Sequence, residues 1–199
     1  MTAILKVDTI QDTSGNNIIN ESSDTITIGA SGDTIALAGT TVTGITQGIT
    51  MADQWRLTAQ KTDSTDITAN LERVDNTSYA KIGTGMSESS GIFTFPSTGL
   101  YLVRFTGYCG VIPDDNILGY IMTTTNNSSY ATDANWIVSG DGSSTGYSSA
   151  PTEYLFNVTN TSTHKVKFNM VSIGSGSLLD GNTNINLTNF TFIRLGDSQ

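Results

Sequence analysis

The chain holds one histidine and one cysteine, and this limits the chemistry it can perform. His164 stands in TSTHKVKF, at the start of a strand-like run beside Lys165 and Lys167, and reads as an edge or solvent-facing residue. A single histidine excludes a histidine-rich metal site and the paired ligands of an HExxH motif. Cys109, in FTGYCGV, has no neighbouring cation to stabilise a thiolate and reads as a small buried apolar residue. Being alone, it also excludes an intrachain disulfide. No GxSxG elbow, P-loop or dinucleotide-binding glycine pattern occurs. Glycoside hydrolysis needs two carboxyl groups about 5–10 Å apart. Asp114, Asp115, Asp133, Asp141, Glu153 and Asp180 are the acids among which such a pair would lie, and no spacing singles two out. PDDN (113–116) and LDGN (179–182) offer oxygen ligands to Ca²⁺, but neither completes a calcium loop. The expectation is a protein with no catalytic residues, no metal and no cofactor.

Two long polar stretches are better suited to binding. TTNNSSYATDANW (124–136) and SGDGSSTGYSSAPTEY (139–154) read as loops carrying isolated aromatic residues. Such side chains pair a flat apolar face with a polar edge, while Ser, Asn and Asp supply hydrogen bonds, as in antibody loops. Tyr130, Trp136, Asp141, Tyr147 and Tyr154 are the receptor-contact candidates on this reading.

The elements that must position these residues are strands. Of the 199 residues, 37% are hydrophobic and only 14% charged, with Thr, Ser, Gly and Asn abundant. Branched residues suit a pleated surface, and Gly, Asn and Ser suit turns. No stretch of a dozen residues reads as a helix. Strand-like runs follow one another at QWRLTAQ (54–60), TDITANLERV (65–74), IFTFPSTGLYLVRFTGYCGVI (92–112), ILGYIMTTT (117–125), NWIVSG (135–140), TEYLFNV (152–158), HKVKFNMVSI (164–173) and NINLTNFTFIRL (184–195). GTGMSESSG (83–91) reads as a turn. So many short strands with antiparallel turn spacing predict an all-β sandwich or jelly roll.

The net charge of −9, without Lys/Arg clusters, argues against nucleic acid and anionic membrane surfaces. No run approaches the roughly 20 apolar residues of a spanning helix. The start, MTAILKVDTIQD, reads as lacking the basic and apolar regions of a secretory signal.

Residues 1–48 contain no aromatic side chain, whereas both Trp, all Tyr and all Phe lie in 49–199. The expected division is an N-terminal β-rich anchor or shaft (1–48) and a head domain (49–199). DTITIGASGDTIALAG (24–39) repeats Asp-Thr-Ile at a nine-residue interval, and Ile26, Ile28, Ile35 and Leu37 alternate with polar residues. A strand pair this poor in bulk buries too little surface to stand alone. Partner surface from other chains is therefore expected to complete it.

GIFTFPSTGLYLVRFTG (91–107) resembles the jelly-roll head of tumour necrosis factor ligands and complement-type globular heads. The shared pattern is a Phe-bearing strand, Pro, a Gly turn and a Tyr-centred strand, here Phe93, Phe95, Pro96, Gly99, Tyr101 and Val103. NLTNFTFIRL (186–195) is similar to the aromatic final strand of that family. The resemblance spans roughly 52–196 and implies a compact homotrimer packed by aromatic residues at a threefold axis. Tyr101, Phe105, Phe190 and Phe192 are the interface candidates it implies, with half of them expected to face the intramolecular core.

The front end, ILKVDTIQDTSGNNIINES, resembles the beginnings of tail-fibre and other virion proteins of bacterial viruses, marine ones in particular. This implies location in a virion, unmodified Asn-x-Ser/Thr sequons, and contacts with tail or capsid proteins through the N-terminal segment. A trimeric fibre or spike attaching to a host glycan or protein is the first functional expectation. The alternative is a capsid decoration protein cementing the shell. A cellular ligand of the necrosis-factor type is the least favoured reading.

Overall fold

The computed structural model describes residues 9–11, 13–14, 17–22, 25–28, 32 and 48–199. The chain divides into two compact units, Met1–Thr46 and Gln47–Gln199. In the first, β1 (Thr9–Gln11), β2 (Asn17–Ser22) and β3 (Thr25–Ile28) form an antiparallel sheet in the order β1-β2-β3. Ile26 and Ile28 lie on β3, opposite Glu21 and Ile19 of β2. Ile35 and Leu37, and the second Asp-Thr-Ile triplet, lie outside the described residues.

The second unit contains β4 (Ala52–Leu57), β5 (Leu71–Arg73), β6 (Ser87–Ser89), β7 (Ile92–Thr94), β8 (Gly99–Val111), β9 (Asn116–Thr124), β10 (Ala131–Ser139), β11 (Gly146–Val158), β12 (Lys165–Val171), β13 (Leu178–Leu179) and β14 (Asn189–Gly196). These build a five-stranded sheet, β10-β9-β12-β7-β6, and a six-stranded sheet, β11-β8-β14-β4-β5 with β13 beside β8. Every pairing is antiparallel. The protein is all-β, an antiparallel jelly roll, as its composition predicts.

Two segments differ from the sequence expectation. Ser87–Ser89 is an edge strand, although its residues are polar and it reads as a turn; backbone pairing with Ile92–Thr94 holds it. TDITANLERV is mostly irregular. Leu71–Arg73 pairs with β4, while Asp66 bridges Asn169 at the edge of the other sheet.

The core is an aromatic lattice between the sheets. Phe93 from one sheet lies 5.3 Å edge-on from Trp55 and 5.1 Å from Phe192 of the other. Phe105 stacks on Phe190 at 5.0 Å, and Phe168 lies 4.4 Å from Phe190. Such offset and edge contacts suit ring quadrupoles and add to the area each ring buries. Tyr101, Phe105, Phe190 and Phe192 are all 0% exposed within the single chain. None has surface left for a threefold axis, so all four expected interface residues belong to the intramolecular core. Their strands alternate with period two, and theirs is the inward parity.

Candidate functional site

Of the five loop candidates, the structure brings only two together. Asp141 closes the turn between β10 and β11, accepting from the backbone N–H of Ser143 (2.9 Å) and Ser144 (3.1 Å). Those donors hold its carboxyl below the usual carboxylate range. With Tyr147 it borders a cleft of about 220 Å³ backed by Val111 and Val138. Tyr147 is not in a loop: β11 begins at Gly146, and the Tyr147 ring stacks on Tyr108 at 5.6 Å.

The other three sit elsewhere. Trp136 is on β10, 4% exposed, with its ring 5.2 Å from Phe105. It fills space left by two glycines. A Cβ on Gly107 would lie 2.1 Å from its ring, and one on Gly119 2.2 Å. It is a core residue and not a receptor contact. Tyr154 is half-buried, its ring 6.3 Å from Phe156, and burial with the nearby Asp133 charge pushes its hydroxyl pKa up. Tyr130 lies under Lys167, whose ammonium sits 4.5 Å from its ring centre. Its hydroxyl is buried without a hydrogen-bond partner, and burial, then the Asp66 charge, raises its pKa. Tyr130, Asp66 and Lys167 border a separate cavity of about 90 Å³.

Five of the six acids expected to matter for chemistry, all but Asp114, are occupied in structure. Asp133 accepts from Thr123 Oγ1 (2.6 Å), and Glu153 pairs with Arg104 (3.2 Å). Asp115 accepts from the N–H groups of Asn116 and Gly174, and Asp180 from Gly181. His164 is buried, not solvent-facing: its ring stacks on Phe156 at 5.6 Å and meets the hydroxyls of Thr159 (3.2 Å) and Thr163 (3.0 Å). Cys109 is buried in the core, where desolvation pushes its thiol up to about 12. It remains a thiol at neutral pH.

The feature that sequence reasoning missed is the solvent face of the six-stranded sheet. Ala52, Ile193, Leu102 and Leu155 stand directly opposite one another across β4, β14, β8 and β11. They form one apolar row, ending in Leu155, which is 54% exposed. The next row is polar: Gln54, Thr191, Arg104 and Glu153, tied by Gln54 Nε2 donating to Thr191 Oγ1 (3.0 Å) and by the Arg104–Glu153 pair. The Tyr108–Tyr147 stack lies on the same face, because both residues share the outward parity of β8 and β11. The missed signal was in β8, GLYLVRFTGYCGV. Its inward positions are Tyr101, Val103 and Phe105, yet the outward positions Leu100 and Leu102 are apolar too.

No family model matches the chain, and no curated protein matches it in sequence. Solved structures do match in fold. The Eiger TNF of S. frugiperda superposes over 76% of this chain and 96% of its own, with 13% identity and a TM-score of 0.59. Murine APRIL superposes over 73% of this chain and 98% of its own, with 14% identity and a TM-score of 0.51. The fold is a tumour-necrosis-factor-like jelly roll. PRD1 vertex protein P5 aligns over 75% of this chain and 100% of its own at 17% identity, but its TM-score of 0.46 is too low to carry weight.

Proposed function

We propose that the chain is a non-enzymatic structural protein of a bacterial-virus particle. It forms a homotrimeric fibre or spike whose head (49–199) attaches to the host surface and whose N-terminal segment joins it to other virion proteins. The observation carrying this reading is the apolar row Ala52–Ile193–Leu102–Leu155 on the outer face of the six-stranded sheet. A contiguous apolar face rimmed by polar residues is the signature of an interface. Copies of the same chain are the natural cover for a jelly roll of this type, which supports placing the threefold axis against this sheet. The virion location rests on the front end's resemblance to fibre proteins. Three heads on one shaft turn a weak surface contact into avid attachment by raising its effective concentration.

A second reading is favoured by one observation. Among the described residues the β1-β2-β3 sheet ends in β1 and β3, and edge strands add to neighbouring sheets. A decoration protein cementing coat subunits would use them so. Gold-labelled antibody against the chain, applied to intact particles under the electron microscope, separates the two. Labelling at a tail or vertex supports the fibre, even labelling over the shell supports cement, and particles without the antigen overturn both.

A further inference from the structure

A groove of about 440 Å³ opens at the β4–β5 side of the six-stranded sheet, between the turn after β5 and the segment entering β14. Gln54, Asn76, Tyr79, Asn184, Ile185 and Asn186 line it. Three features set its chemistry. First, every lining residue is uncharged. The nearest ions are consumed among themselves: Arg56, only 1% exposed, pairs with Glu72 and Asp75, and Arg73 pairs with Asp53. An ionic ligand would find no counter-charge.

Second, the amides are orientated. Gln54 Nε2 donates to Thr191 Oγ1, so its Oε1 faces Asn186 and accepts from Asn186 Nδ2 at 2.7 Å. That leaves Asn186 Oδ1 as an acceptor with no donor although it is buried, a condition rare in folded proteins because the oxygen has given up water for nothing. Asn76 is held likewise, accepting from Arg56 Nη1 (2.6 Å) and donating to the Asn184 carbonyl (3.0 Å). Asn184 stands in an exposed turn, and its side-chain amide has no partner among the described residues. Third, the groove has an apolar wall. Ile185 is 59% exposed, and Tyr79 is fixed by its hydroxyl, which donates to Asp53 (2.9 Å) and accepts from the Gln54 N–H (3.0 Å).

Neutral amides that donate and accept side by side, beside an aliphatic and an aromatic surface, match a ring with hydroxyls at its rim and C–H groups on its face. The volume falls within the range of small-ligand sites. We propose that this groove binds a neutral saccharide unit. The sugar's C–H face lies against Ile185 and Tyr79, and the Asn184 amide takes a neighbouring hydroxyl pair.

The test is ligand-observed saturation-transfer NMR on the full chain with glucose, galactose, mannose, rhamnose and N-acetylglucosamine, against glucuronic and sialic acids as charged counterparts. At least one neutral sugar should receive saturation and the acids should not. Asn184→Ala and Ile185→Ser, both at exposed positions, should each weaken that sugar about tenfold, the loss of one good contact, with an unchanged unfolding temperature. Absence of binding by every neutral sugar, equal binding of the acids, or full affinity in both variants would overturn the proposal. Host attachment is a separate matter: variants that lose the sugar yet still adsorb to cells place attachment on another surface while leaving the groove assignment standing.

Discussion

At the residue scale, two buried side chains hold the framework. Asp53, whose side chain is wholly buried, accepts from Trp55 Nε1 (3.0 Å), Tyr79 Oη (2.9 Å), the Met86 N–H (2.7 Å) and Arg73 Nε (3.0 Å). Removing it strands a guanidinium and several donors. Asp53→Ala should therefore cost about 3–5 kcal/mol, read from the midpoint of a urea unfolding curve. Trp136 occupies the space over Gly107 and Gly119, and Gly119→Ala forces a methyl into its ring. A loss of about 1–3 kcal/mol, visible as a lower unfolding temperature, is expected. Surface acids supply a pH dependence. Burial alone would raise the Asp66 carboxyl, but hydrogen bonds from Lys167 (2.7 Å) and Asn169 (2.7 Å) outweigh it and hold the group below its ordinary 3.8. A carboxyl lowered by folding stabilises the fold above its unfolded value, and that contribution vanishes as pH falls through the folded one. The unfolding temperature should drop on acidification below about pH 4, less steeply in Asp66→Asn than in the natural chain.

At the scale of the strand, alternation decides what each residue is for. Composition and period-two patterning announce an all-β sandwich, and the Pro96–Gly99 turn and Tyr101 strand lie as the tumour-necrosis-factor resemblance implies. Parity was not legible. In β8 and β14 both faces carry apolar residues, and large aromatic side chains draw the eye to Tyr101, Phe105, Phe190 and Phe192, which fill the core. Their smaller neighbours Leu102 and Ile193 face out. Ser87–Ser89 and the Gly146–Ala150 start of β11 read as turn and loop because small residues, Ser above all, dominate them. Their strand character comes from backbone pairing with neighbours distant in sequence, which local patterning does not contain. The same alternation yields a prediction. Leu102→Glu and Leu155→Glu place charges on the apolar row without touching the core. Each should keep the unfolding cooperative and the circular-dichroism spectrum β-rich while abolishing self-association.

At the scale of the whole molecule, the jelly roll carries an apolar row on the outer face of its six-stranded sheet and separate polar recesses. The proposed self-association uses this face, and the Asn-lined groove at the β4–β5 side lies beyond that row, on the polar margin of the sheet. The central claim, that the outer face of the six-stranded sheet meets its own kind about a threefold axis, is tested most directly by the mass of the full chain in sedimentation equilibrium. The natural chain should sediment at three times 21.1 kDa, and the Leu102→Glu, Leu155→Glu double variant at 21.1 kDa. A natural chain that stays at 21.1 kDa at every concentration, or a trimer unmoved by the two charges, would contradict it.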